Sequence, residues 1–366
     1  MAELIQASKQ WASRPADERF TSLDSMLAHF GQIKRNSTQR VVDTRSIGFE
    51  PTSNDTDAGL KMVRGPNAVD MTHFSFGQVA TLAGAPAGYL RGLPAPLAAD
   101  CLNCGMIQRK VEDVGVLLTR GLEDPTQIEL RAATGPNYGR VWNHDVTKAL
   151  VDRFGDGVTG DFRVPGEFGV AVDVNKNNTT LYASDRDMFV FLADETNRIE
   201  VPNRRNGKSG SLARGFFVWN SEVGSATLGV GVFLFDYACM NRIVWGAEGY
   251  REIKIRHTSG APSRFVNEVA PTLIQFANAS ADPITAAITA AQNKRVDDVD
   301  TFLSKRFGAR MVDQLKARHV VEENRPIETL WDVTTAVTAI ARDIPNQDKR
   351  VEMERAGGAI LDLVAA

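Results

Sequence analysis

Between residues 169 and 257 the sequence passes through six short runs rich in β-branched and aromatic residues, at 169–174, 179–183, 187–193, 215–219, 227–237 and 250–257. Asn, Gly and Asp residues join them, the pattern of an antiparallel sheet, with one long exposed connection at 201–212. Both flanks keep a helical rhythm. On the N-terminal side Leu23, Met26, Leu27 and Phe30 share one helix face, and the polar stretch 36–57 reads as a loop with one short strand near 40–42. Ser75 and Gln78 have the form of a capping box ahead of short helices carrying Val79, Leu82 and Leu90, split by Pro86. Strands are expected at 114–119 and 127–132 about a turn at 121–125. A helix capped by Asn143 follows, with Val146, Leu150, Val151 and Phe154 inward and Gly155 at its end. Beyond residue 260, Val266, Val269, Leu273 and Phe276 mark one helix, and Leu330, Val333, Val337 and Ile340 another. The expectation is an α+β fold, an antiparallel β-sheet core with flanking helices and a helical C-terminal region. It divides into 1–110, mixed and mostly helical; 111–260, the β-rich core; and 261–366, helical.

With 366 residues, 43% of them hydrophobic and 24% charged, the chain can bury a sizeable core. A formal charge of -3 excludes a uniformly basic molecule, so any polyanion site must be local. Three cysteines, Cys101, Cys104 and Cys239, are too few for a disulfide framework and point to a reducing interior, the cytoplasm of a host cell. No run reaches the roughly 18 apolar residues of a spanning helix. The most apolar stretch, 228–239, is broken by glycines and Asp236, and the N-terminus carries Glu3 with no apolar signal core. Neither export nor membrane attachment is expected.

Cys101-x-x-Cys104 lacks a second ligand pair, so small core residues are the expectation there rather than zinc. His29, His73, His144, His257 and His319 are dispersed, and no nucleophile elbow or complete phosphate loop appears around Gly207-Lys208-Ser209. Asp185 and Asp187 would alternate onto one strand face and, with Asp194 and Glu195, could hold Mg²⁺ as a nuclease does; the competing reading pairs them with Arg186 and Arg198.

Charge is distributed unevenly. Residues 165–198 hold six acidic residues against three basic ones, whereas 200–264 hold nine basic against five acidic, a net +4. Arg204, Arg205 and Lys208 fall on a Gly/Ser-rich loop, and Arg214 leads into Phe216, Phe217 and Trp219. Cations for phosphates and flat side chains for bases are what a single strand needs. A solvated loop and a strand with core aromatics at period two fit the same residues. On a second basic strand, 251–257, Arg251 and Ile253 would share one face and Glu252, Lys254 and Arg256 the other, which could track a backbone or be the wet face of an ordinary half-buried strand.

The stretches 130–146 and 215–245, with Asn220-Ser221-Glu222-Val223-Gly224, Cys239-Met240-Asn241-Arg242 and Arg256-His257-Thr258, resemble the conserved phage/plasmid-like proteins, a domain-of-unknown-function family of prophages and plasmids. The likeness runs from about Trp11 to the C-terminal helices, with Met240 departing from the pattern. More distantly the chain is similar to single-strand annealing proteins. The resemblance implies a non-catalytic single-stranded DNA-binding or annealing protein without a cofactor, forming a homo-oligomeric ring or filament. Arg204, Arg205, Lys208, Arg214, Arg242, Lys254, Arg256 and Arg140 would meet phosphates, and Tyr138, Trp142 or Phe216 would stack on bases. Glu222 would serve the turn or pair with Arg242. The alternatives are the nuclease above, with His257 as base, and an interaction protein such as a host-defence inhibitor.

Overall fold

The chain opens on a two-residue strand, β1 (Arg19–Phe20), and a helix, α1 (Leu23–Asn36), that starts where Ser22 and Ser25 cap each other reciprocally. Leu23, Met26 and Phe30, three and four residues apart, form its buried face. This computed structural model describes residues 15–53, 59–64, 67–122, 124–166, 172–238, 241–245, 253–344 and 347–364. Residues 1–14, Glu123, Cys239, Met240, Arg251 and Glu252, which entered the sequence reading, lie outside that set.

After α1 come β2 (Ser37–Asp43), β3 (Gly48–Pro51), β4 (Leu60–Arg64), β5 (Asn67–Met71), three helices α2 (His73–Leu82), α3 (Ala87–Arg91) and α4 (Ala95–Gln108), then β6 (Asp113–Arg120) and β7 (Ile128–Thr134). They build a six-stranded sheet in the order β2-β6-β7-β5-β4-β3, antiparallel except for the β5–β7 pair. Val79, Leu90, Ala98, Leu102 and Met106 of the helices pack on Val42, Val69, Val114 and Val116 of this sheet. The stretch expected as a loop thus holds two strands. The short strand expected near 40–42 is the middle of β2, but its full length and the whole of β3 are hidden because both are edge strands; in β2 Val42 alone is buried, and a strand that faces water reads as polar coil. The sheet also takes strands from both sides of residue 110.

Helix α5 (Asn143–Phe154) leads to the second sheet: β8 (Phe162–Arg163), β9 (Leu181–Ala183), β10 (Met188–Asp194), β11 (Ile199–Val201), β12 (Gly210–Asn220), β13 (Leu228–Asp236), β14 (Asn241–Ile243) and β15 (Ile253–Ile255). With β1 these make a nine-stranded sheet whose main path is β1-β9-β10-β12-β13-β14, with β8 on β10, β11 on β12 and β15 on β13, all pairs antiparallel. The run expected at 169–174 is irregular in its described part, 172–174. β12 and β13 are buried on both faces, which explains their unbroken apolar runs. On one face Val190, Leu192, Phe216, Val218 and Val230 meet α1 and α5. On the other, Phe189, Phe191, Phe217, Phe233 and Phe235 form an aromatic layer. Register places Phe217 opposite Gly231 and Trp219 opposite Gly229, and a Cβ on either glycine would stand inside the facing ring.

The C-terminal third contains α6 (Ala261–Arg264), a π-turn (Phe265–Val269), α7 (Ala270–Asn278), α8 (Asp282–Asn293), α9 (Val299–Phe307), α10 (Ala309–Glu323), α11 (Leu330–Arg342), α12 (Gln347–Gly358) and a final 3-10 turn (Leu361–Val364). Phe265, Val269, Leu273 and Phe276 join the core of the second sheet. Val266, expected inward, is 63% exposed because the wider π-turn rotates Phe265 into its place. The later helices enclose Trp331 and a second core that reaches Leu212, Leu234 and Ile243 at one end of the sheet.

Two helix starts differ from the sequence reading. α2 is capped by Thr72, while Ser75 donates to the Leu130 carbonyl and Gln78 bridges Ala133 N and the Val223 carbonyl. α5 has no local side-chain cap; its first N–H, on Asn143, donates to Glu222 Oε1 at 2.8 Å. Among the described residues no helix is long and apolar enough to cross a membrane.

Candidate nucleic-acid interface

Five residues expected to touch nucleic acid, Arg140, Arg204, Arg214, Phe216 and Arg242, are interior, Arg140 with its guanidinium on the Glu222 carbonyl. Arg204 is 1% exposed: Nε donates to Glu323 Oε1 at 2.8 Å, Nη1 lies 2.9 Å from Asp236 Oδ2, and the guanidinium sits over Trp331. Burial pushes the Asp236 carboxyl up from its ordinary pKa, and Arg204 opposes that shift. Arg214 holds Asp194 at 2.8 Å and the Ala279 carbonyl. Arg242 grips Glu354 through two bonds, at 3.1 and 2.8 Å, and is not the partner of Glu222. Phe216 is fully buried beside Phe154 and Phe162. A cation already desolvated and paired has no face left for a phosphate. The continuous positive ribbon expected after residue 200 is therefore absent among the described residues. Arg205 and Lys208 are exposed, but they lie at the Gly210 end of β12, whereas Lys254 faces its other end through Gly229 and Trp219. Nine residues of strand separate the two, roughly 30 Å.

The carboxylates do not converge either. Asp185 and Asp187 sit in the turn between β9 and β10, where Ser184 Oγ donates to Asp187 Oδ1 at 2.9 Å. Asp194 and Glu195 lie at the far end of β10, roughly 20 Å away, bound to Arg214 and Arg198. Burial raises the Glu195 carboxyl, and the Arg198 hydrogen bond opposes this. Among the described residues no group of three His, Cys, Asp or Glu is arranged to hold a metal ion. Cys101 and Cys104, expected in the core, are free thiols on the exposed face of α4.

Other expected residues do come together, on the seam between the sheets. The loop after β7 carries Tyr138, Gly139, Arg140 and Trp142, and the loop after β15 carries Arg256 and His257. Gly139 N donates to the His257 carbonyl at 3.0 Å, and His257 Nδ1 donates to the Gly139 carbonyl at 3.1 Å. Only glycine fits at this crossing, because a Cβ would overlap the Thr258 carbonyl. The crossing stacks the Tyr138 and His257 rings, centroids 5.0 Å apart and planes 21° from parallel. Arg140 lies 5.2 Å from the Tyr138 ring and 5.8 Å from that of Trp142, and Lys34 of α1 lies 5.9 Å from Trp142. Cations and rings therefore alternate as Lys34, Trp142, Arg140, Tyr138, and the row ends on the His257 ring stacked against Tyr138. Arg256 follows at once, and Lys254 sits 6.0 Å from the Trp219 ring. Lys254 and Arg256 are exposed, while Tyr138, Trp142, Trp219 and His257 are half-buried.

Beneath the row, Glu222 is fully buried: it takes Arg131 Nη1 at 2.9 Å and caps α5, while its carbonyl accepts from Arg140. Tyr138 Oη donates to the Ser221 carbonyl at 2.9 Å, and Val223 inserts against Leu117 and Ala132 of the first sheet. The Asn-Ser-Glu-Val-Gly turn is thus the joint that sets the row. Burial drives the Tyr138 hydroxyl pKa up and brings Arg140 down to about 10, still charged at neutral pH. Burial also lowers the His257 pKa, so its ring is neutral there. Lys34 shares its charge with Asp145 at 2.5 Å.

The sequence names Tyr138, Arg140, Trp142, Lys254 and Arg256 but neither Lys34 nor the stacking role of His257, and leaves Trp219 open between base stacking and the core. The alternation of cations and aromatics within 138–142 was visible; the approach of α1 was not. Compared with known protein families, curated proteins and solved structures, the chain matches none.

Proposed function

We propose that this chain is a non-catalytic single-stranded DNA-binding protein of the annealing type, working as a homo-oligomer in the cytoplasm of a cell that hosts a phage or plasmid. The observation that carries the reading is the row in which Lys34, Trp142, Arg140 and Tyr138 alternate cation and ring and His257 stacks on Tyr138, with Arg256 next in the chain and Lys254 beside Trp219. Lys254 and Arg256 neutralise phosphates. The half-buried rings offer bases the surface that Lys34, Arg140 and the neighbouring rings leave open, and buried Arg140 acts from behind by fixing Tyr138 and Trp142. Rings read any base, so the binding is sequence-tolerant. Asp185 and Asp187 have no part in it.

Binding of a labelled oligonucleotide across salt tests this. Lys254→Ala with Arg256→Ala is expected to lower the log-log salt slope by about 1.4, at roughly 0.7 per phosphate contact. Tyr138→Leu is expected to lose about 1–3 kcal/mol of affinity at unchanged slope. Arg205→Ala with Lys208→Ala, at the far end of β12, should change neither. Wild-type affinity in the folded Lys254/Arg256 variant would remove the row from the mechanism.

A further inference from the structure

A cavity of about 730 Å³ lies between the second sheet, α8 and the final turn. Its walls are apolar: Val232 and Leu234 of β13, Phe276 of α7, Ile284 of α8 and Leu361 of the last turn. On α8 three alanines, Ala286, Ala287 and Ala290, face the space. Small side chains alone would make only a packing gap. A second feature distinguishes it: Arg214, 4% exposed, lines the cavity, and its buried Nε has no hydrogen-bond partner. Its other two nitrogens are committed to the Ala279 carbonyl and to Asp194. A buried donor left unmade costs free energy that an acceptor would recover.

We infer that this cavity binds a neutral amphiphile, an apolar chain bearing one carbonyl or ester oxygen that accepts from Arg214 Nε. The volume is that of a small-molecule site rather than a water-sized void. Charge decides the head group. Asp194, fully buried, already balances Arg214, so a ligand carboxylate would enter as an unpaired anion, and an ammonium group would stand beside a guanidinium. Trp245 and Asp362, joined by a 2.8 Å hydrogen bond, are also among the lining residues and bring polar atoms to the apolar walls.

The test uses the full chain and the neutral probe N-phenyl-1-naphthylamine. Saturable fluorescence enhancement at one probe per chain is expected, reversed by methyl decanoate and at least about tenfold less effectively by decylammonium, whose charge cannot be paired. Ala287→Phe is expected to abolish the enhancement while keeping the wild-type melting temperature; if that variant does not fold, Ala290→Leu fills the same wall with a smaller change. No saturable enhancement in the wild type, or enhancement unchanged in a folded filled variant, overturns the site. Equal displacement by ester and ammonium overturns the role given to Arg214.

Discussion

Arg204 is 1% exposed and ion-paired with Asp236 and Glu323, whereas Arg205, the next residue, stands in solvent. Arg204→Ala would leave two carboxylates facing each other in a fully buried site, and breaking a buried pair in this way costs about 3–5 kcal/mol. Arg205→Ala is expected to stay within about 0.5 kcal/mol, as exposed substitutions do. Urea unfolding of the two variants checks the contrast; similar midpoints would mean that Arg204 is not held as described. The same pair of residues shows why the charge of residues 200–264 misled. Counting gave a net +4, but Glu323 and Glu354, the partners of Arg204 and Arg242, lie beyond the counted segment. A one-dimensional tally sees charge and not partners. Residues 138–142 were legible for the opposite reason: their cation–ring contacts are local, and only Lys34 and His257 come from elsewhere.

At the scale of elements, what the sequence disclosed follows burial. β10, β12 and β13 are covered on both faces and announce themselves as apolar runs. At the sheet edges β2 shows only its middle, near 40–42, and β3 nothing. The start of α5 was misassigned because its cap, Glu222, is 79 residues away and no local pattern encodes it. The glycines of β13 carry a signal of another kind, a register. Gly229 and Gly231 lie beneath Trp219 and Phe217 in the facing strand, so each ring lies flat where a side chain would otherwise project. Gly231→Ala forces Phe217 to move within a layer that also holds Phe189, Phe233 and Arg242. The expected loss is about 1–3 kcal/mol, the usual cost of overpacking, despite the higher strand propensity of alanine. Unchanged thermal stability in that variant would show that the aromatic layer is looser than its ring contacts imply.

For the whole molecule, the boundary expected near residue 260 separates sequence rhythms, and the packing crosses it. Phe265, Val269, Leu273 and Phe276 complete the core begun by Val190, Phe216 and Val230. Leu212, Leu234 and Ile243 belong to the core of the late helices. Three buried arginines from residues 200–245 end on acceptors beyond 260: Arg204 on Glu323, Arg214 on the Ala279 carbonyl and Arg242 on Glu354. Ending the chain at residue 260 would uncover part of one face and one end of the second sheet and leave Arg242 without its carboxylate in what had been interior. A fragment of residues 1–260 is therefore expected to be insoluble or to lack a cooperative melt, and the intact chain to unfold in one transition with matching calorimetric and van't Hoff enthalpies. A 1–260 fragment that melts cooperatively would mean that sheet and helices are separable units, and the buried arginines would then be clasps between them rather than part of a common interior.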